Sequence, residues 1–205
     1  MFRALKTMRE QDEEHSPSIF LEKWKTKIYA VIDISKDAPI YDTKSLEKGG
    51  VEYHKFPTVS KIPPTPVEVQ DFCSLVDKLL GERDAKIAAG TEPKEKRAIA
   101  VHCHYGYNRT GFFISAYLIT NQGYTVQQAI DEFAKAKPPG IRHEHFLDQL
   151  WLRYATTTSS QKRPEKAKTK KEKKRRNPDG VVGGLAVHTG QDGLDSATHT
   201  DNDLM

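Results

Sequence analysis

The residues that could do chemistry stand together in one short run, His102-Cys103-His104-Tyr105-Gly106-Tyr107-Asn108-Arg109-Thr110-Gly111. Cys103 and Arg109 enclose five residues, and that spacing lets a loop wrap a single phosphoryl group. The thiolate approaches from below, while backbone N–H groups of His104, Tyr105, Gly106, Tyr107 and Asn108 surround the equatorial oxygens. The Arg109 guanidinium adds a planar, bidentate contact. A thiol at a helix N-terminus beside an arginine ionises readily and is a nucleophile at neutral pH. The expected reaction is in-line attack by Cys103 on phosphorus, giving a phosphocysteine that water then hydrolyses. Thr110 is placed to donate a hydrogen bond to the sulfur as it leaves.

A competing use of the same residues is a metal site built from His102, Cys103 and His104 with His143 and His145. Consecutive residues on an extended chain point to alternate sides, so three in a row make a poor cage, and no second Cys stands at C-x-x-C spacing. The sequence therefore predicts no metal and no cofactor. His143 and His145, beside Arg142, read as solvated surface or as a rim around the phosphate site.

Such a loop must be held by regular elements. It follows the apolar run 98–101 and opens into another at 112–119, a strand–loop–helix pattern. At the helix N-terminus the free N–H groups and the positive end of the dipole favour an anion, and Gly106 lets the backbone curl around it. Residues 28–34 are nearly all apolar and rich in β-branched side chains, the pattern of a strand covered on both faces, with Asp33 the exception. A short helix around Leu46 ends at Gly49-Gly50, and a second strand is expected at 51–56. Residues 57–64 contain too many prolines for regular structure.

Thr65-Pro66-Val67-Glu68 is a capping box with Pro at the first helical position, opening a helix that is expected to stop at Gly81. Cys73 falls on its apolar face and reads as a small core residue. A second capping box, Thr125 to Gln128, starts another helix that Pro138-Pro139-Gly140 breaks, and residues 144–154 form the last. Residues 1–18 show no period and read as a frayed arm, leaving 19–154 as the catalytic domain.

The chain of 205 residues carries 32 Lys and Arg against 28 Asp and Glu, a net charge of +4. With 37% hydrophobic residues it suits one globular domain plus a tail. No run approaches a membrane span, the N-terminus is too charged for a secretory signal, and two cysteines cannot form a disulfide framework. The nucleus or cytoplasm is the expected location. Residues 155–205 read as a disordered tail, first basic and then rich in Gly and Asp. Positions 162–176 hold ten Lys and Arg against Glu165 and Glu172, a candidate nuclear-import or RNA-contacting segment that reads equally as a solubilising spacer.

His102-Cys103-x5-Arg109-Thr110-Gly111 resembles the signature of the cysteine-dependent phosphatases of the protein tyrosine and dual-specificity superfamily. The run 105–112 is similar, within it, to the RNA 5′-triphosphatase domain of metazoan mRNA capping enzymes and to RNA-directed dual-specificity phosphatases. So are Val31-Ile32-Asp33-Ile34, Tyr41-Asp42, residues 46–53 and residues 136–141. Phe2-Arg3-Ala4-Leu5-Lys6-Thr7 resembles the family's segment ahead of the domain, with Ala4 where Pro is usual. The resemblance implies an α/β fold of protein tyrosine phosphatase type, with a central mixed sheet flanked by helices, acting without a metal. It also implies a guanylyltransferase partner supplied in trans.

One departure bears on substrate. Protein-directed members usually carry a general-acid Asp between the second strand and the next helix, whereas 57–64 has no carboxylate. A phenolate (pKa about 10) or an alkoxide leaves slowly without a proton donor, but a diphosphate is a weaker base and needs little help. RNA 5′-triphosphate ends are thus the expected substrate. The alternatives are a dual-specificity protein phosphatase using Glu68, Asp71 or water as acid, and a phosphate-binding module of low turnover. Asp33 matches an Asp of the triphosphatase family, as a general acid or as a buttress of the phosphate loop; its place at a buried strand end favours the buttress.

Overall fold

The computed structural model describes residues 1–155. The elements run β1 (Phe2–Leu5), α1 (Pro17–Trp24), β2 (Ile28–Asp33), α2 (Thr43–Lys48), β3 (Glu52–Lys55), α3 (Pro66–Ala88), β4 (Ala98–His102), α4 (Asn108–Gln122), α5 (Val126–Ala136) and α6 (Glu144–Tyr154). The four strands form one sheet in the order β1-β4-β2-β3. An α/β architecture with the sheet flanked by helices is thus present as expected, but the sheet is not mixed: all three pairings are parallel. Helical crossovers between successive strands force this, because a parallel neighbour cannot be reached by a tight turn.

β2 is buried along its whole length, as its continuous apolar pattern requires of a strand covered on both faces. Alternate residues divide between two cores. Ala30, Ile32, Ile99 and Val101 pack with Phe72, Phe112, Phe113, Phe133 and Phe146 from α3 to α6. Val31 and Ala100 pack on the other side with Leu5, Met8, Phe20 and Leu46, under α1 and α2. α4 lies deepest, with Arg109 to Leu118 all buried.

Two expectations need correction. Phe2–Leu5 is not a frayed arm but edge strand β1, paired residue for residue with β4 from Phe2 on Ile99 to Leu5 on His102. It carries too few residues to show a period of two, and the pairing that holds it lies nearly a hundred positions away. Ser16, with its side chain accepting from Ile19 N–H and Pro17 in the first turn, then starts α1 inside the supposed arm. Second, α3 passes through Gly81 and runs on to Ala88. A Cβ at Gly81 would meet nothing within 4 Å, so this glycine is a tolerated interior position. Both capping boxes are formed, at Thr65 with Glu68 and at Thr125 with Gln128. Among the described residues no helix is long and apolar enough to cross a membrane. The basic and Gly/Asp-rich tail expected from the sequence lies, apart from Ala155, outside the described residues.

Candidate active site

β4 ends at His102 and α4 begins at Asn108, so residues 103–107 turn as a loop at the C-terminal end of the sheet. Gly106 makes the turn possible. Its φ is +76°, and a Cβ there would sit 1.9 Å from the Leu5 carbonyl oxygen. The former arm is therefore the floor of the loop: besides Leu5 against Gly106, Thr7 N–H donates to His104 O at 3.0 Å. Cys103 is buried, and Gly106 N–H donates to its Sγ at 3.3 Å. Thr110, expected to serve the sulfur, is fully buried with its Oγ1 unpartnered. In this state the donor to Sγ comes from the loop backbone.

Arg109 is fixed from one side. Its Nη1 donates to Thr58 O at 2.8 Å, Ile34 O at 3.2 Å and Thr58 Oγ1 at 3.5 Å. That leaves the Nη2–Nε edge for an anion, in the bidentate manner of a guanidinium. Thr58, buried, also donates from Oγ1 to Ile34 O at 2.7 Å. Nothing in the pattern of a proline-rich loop marks a threonine for this role. Asn108, whose backbone N–H is expected at the phosphate, uses its side chain elsewhere: Oδ1 accepts from Arg142 and His143 N–H, each at 2.9 Å. Its side chain ties the loop to the approach of α6 rather than holding phosphate. Gly111 is close-packed, since a Cβ would meet Phe133 and Ile141 at 2.6 Å.

The cleft over Cys103 encloses about 290 Å³ and is lined by Ser60, Lys61, His104, Tyr105, Tyr107, Asn108, Arg109, His143 and Phe146. No carboxylate is among them. Glu68 is spent in its capping box, accepting from Thr65 N–H at 2.6 Å and from Thr65 Oγ1 at 2.9 Å. Lys61 was not singled out by the sequence. It holds a left-handed backbone, φ 66°, and its carbonyl lies 2.9 Å from His145 Nε2, so α6 braces the 57–64 loop. His143 sits on the rim.

Asp33 lies beneath the loop, not in the cleft. It accepts from Ser35 N–H at 2.9 Å, Ser35 Oγ at 2.5 Å, Tyr53 Oη at 2.9 Å and Lys55 Nζ at 2.8 Å. Burial by itself would raise its pKa; His102, the Lys55 ammonium and the Ser35 donors outweigh burial and hold the carboxyl below its ordinary range. His102, fully buried, bonds through Nε2 with Tyr41 Oη at 2.7 Å, and its Nδ1 stands 3.7 Å from Asp33. Burial pushes the imidazole pKa down despite that carboxylate. Burial also raises the Cys73 thiol, which meets Thr120 Oγ1 at 3.7 Å; half-buried, packed against the core and outside the cleft lining, it has no activating neighbour.

A strand–loop–helix cup of this build, with a sulfur under backbone donors and an anchored guanidinium at its edge, defines a protein that handles phosphoryl groups. The chain belongs to the dual-specificity phosphatases: the model of that family's catalytic domain matches residues 13–156. It is a phosphatase. It is 30% identical over 138 residues to the mRNA-capping enzyme of Mus musculus, covering 67% of this chain and 21% of that enzyme. It is 29% identical over 130 residues to a tyrosine-protein phosphatase of Autographa californica nuclear polyhedrosis virus, covering 63% and 71%. The chain thus spans about a fifth of the capping enzyme it matches. In fold it resembles a crystal structure of kinase associated phosphatase carrying a serine for its catalytic-site cysteine, with a TM-score of 0.54, 14% identity, and coverage of 73% and 82%.

Proposed function

We propose that this phosphatase removes the γ-phosphate from 5′-triphosphate ends of RNA through a phosphocysteine. The observation that carries the reading is the cleft itself, which offers a nucleophile and cations but no carboxylic acid. Cys103 Sγ attacks the γ-phosphorus, an S–P bond forms, and the bond to the β-bridging oxygen breaks with its electrons staying on the diphosphate end. That oxygen departs as a weak base without needing a proton. Water then attacks the phosphocysteine, releasing inorganic phosphate and the thiolate. Arg109 stabilises the charge spread over the transferring oxygens, Thr110 serves the sulfur as it leaves, and Lys61 and His143 face the departing diphosphate. Asp33, already ionised and outside the cleft, acts as a buttress.

The capping-enzyme likeness supports the same reading. A diphosphate-ended RNA is what a guanylyltransferase consumes, so the product suits such an enzyme, where RNA is made and processed in the nucleus or cytoplasm. A dual-specificity protein phosphatase is the second reading, favoured by the likeness to the viral tyrosine-protein phosphatase. Parallel turnover of triphosphate-ended RNA and phosphotyrosine peptide decides between them. RNA is expected to give the larger kcat/KM, with Cys103→Ser abolishing turnover while still binding RNA. Equal or faster peptide turnover would reject the RNA reading, and no turnover on either substrate would leave a phosphate-binding module.

A further inference from the structure

Outside the cup, the walls of the cleft change character. Tyr105 lines the cleft yet is 67% exposed, and its ring meets only the edge of His104, centroids 4.4 Å apart. Val59 and Ile62, next in sequence to the cleft-lining Ser60 and Lys61, are each about half exposed. Aromatic and aliphatic surface thus rims a cup made for an anion. Beside it, the ring of Tyr107 carries the Arg142 guanidinium 3.8 Å from its centroid and Lys137 Nζ at 4.8 Å. Among the described residues neither cation forms an ion pair. A cation held over an aromatic face keeps its charge available to a second partner.

The anion cup is thus joined by an exposed aromatic face, Tyr105, and by two cations held on a second one, Tyr107. A nucleotide chain offers a counterpart to each: terminal phosphates, base, phosphodiester. We propose that Tyr105 is the stacking platform for the first nucleobase of a 5′-triphosphorylated RNA, and that Lys137 and Arg142 hold the phosphodiester that follows it. The proposal rests on the RNA reading above and adds to it the part of the substrate that the cup cannot recognise. Stacking on an aromatic face accepts any base, so the platform confers affinity for RNA without sequence preference. A phosphopeptide fits this rim less well, because the cleft holds no acid to assist its leaving group.

The test uses the full chain, a triphosphate-ended ten-nucleotide RNA, inorganic tripolyphosphate and a phosphotyrosine peptide. Tyr105→Ala is expected to lower the ratio of kcat/KM on RNA to that on tripolyphosphate about tenfold, the size of one lost base stack, chiefly through KM. Tyr105→Trp is expected to preserve the ratio. Arg142→Ala should reduce the slope of log KM for RNA against log salt by about one phosphate contact. An unmoved ratio in Tyr105→Ala would overturn the platform while leaving the RNA reading intact, provided the wild type turns over RNA best. An unmoved salt slope would remove Arg142 from the track. Wild-type preference for the peptide would sink the RNA reading and the platform with it. Thermal melting of each variant separates these effects from lost folding.

Discussion

The parallel sheet has a charged cleft at each end, and the two differ in what they leave unspent. At the start of β2 and β3 a cleft of about 440 Å³ is lined by Tyr29, Glu47, Glu52, His54, Lys86, Glu92 and Arg97, among others. Most of its charges are paired with one another, Arg97 Nε being a buried donor without a partner. Arg97 Nη2 forms a fork on Glu92, both oxygens at 2.6 Å, while Nη1 donates to the carbonyls of Lys25, Ile28 and Gly50. Lys86 Nζ donates to Glu52 and Tyr29 Oη, each at 2.8 Å. At the other end the cleft is smaller, about 290 Å³, but Lys61 and the open edge of Arg109 line it without a carboxylate to pair with, beside a loop whose Gly106 N–H alone is turned to the Cys103 sulfur. Volume therefore says little about which end works. What distinguishes the working end is donors that the protein fixes in place without satisfying, an arrangement that lowers stability unless an anion arrives.

The largest predicted effect tests whether that cup depends on its unusual backbone. Gly106→Ala puts a methyl 1.9 Å from the Leu5 carbonyl oxygen at a φ of +76°, where backbone must shift. Unfolding free energy is expected to fall by more than about 2 kcal/mol. A displacement of about 1 Å in the loop should cost about a hundredfold in kcat. Chemical denaturation and turnover on one substrate check both. A variant that keeps both would mean that β1 does not hold the loop.

A smaller effect tests what lies beneath the cup. Asp33 and His102 both have depressed pKa values in the fold, so each contributes stability above its unfolded pKa and loses it as pH falls. His102 starts to lose its share below about pH 6.5, and Asp33 below about pH 3.9. The wild type should therefore weaken on acidification in two stages, both on the acid side. Asp33→Asn shrinks the lower stage, which Asp12, Glu52 and Asp84 share, and leaves Lys55 without its carboxylate, costing about 2 kcal/mol at neutral pH. As a buttress, Asp33 leaves kcat within about tenfold when replaced. A hundredfold fall, with a lost limb in the pH–rate profile, would make it the general acid instead.

Much of this contrast could be read before any coordinates. Local rules governed β2, both capping boxes and the loop from Cys103 to Arg109, where spacing and periodicity act within a few residues. What those rules did not carry depends mostly on distant partners. Phe2–Leu5 is a strand only because β4 stands beside it. Thr58 matters because Arg109 reaches it across 51 positions, and Asn108 spends its side chain on backbone 34 residues away. Lys61 carries no local signal, because a single lysine in a proline-rich loop looks like any solvated cation until the cleft beside it is known. Gly81 misled because a glycine stop signal and a tolerated interior glycine look alike until the neighbouring space is known.

The smallest expected effect comes from the opposite end. Lys86→Met removes the ammonium that bridges Glu52 and Tyr29, while its methylenes are roughly replaced. The hydrogen bond to Glu52, followed by that to Tyr29, raises the pKa of this lysine, so the bridge stays charged at every ordinary pH. Its side chain is 45% exposed, and solvent screens the pair. The loss should stay under about 1 kcal/mol, a shift of a few degrees in Tm. Turnover should remain within about twofold, because the bridge touches neither β4 beyond its first residues nor the loop it feeds. A tenfold fall in kcat/KM with Tm unchanged would break the contrast between the ends. It would mean that the larger cleft, for all its internal pairing, communicates with the cup or binds part of the substrate.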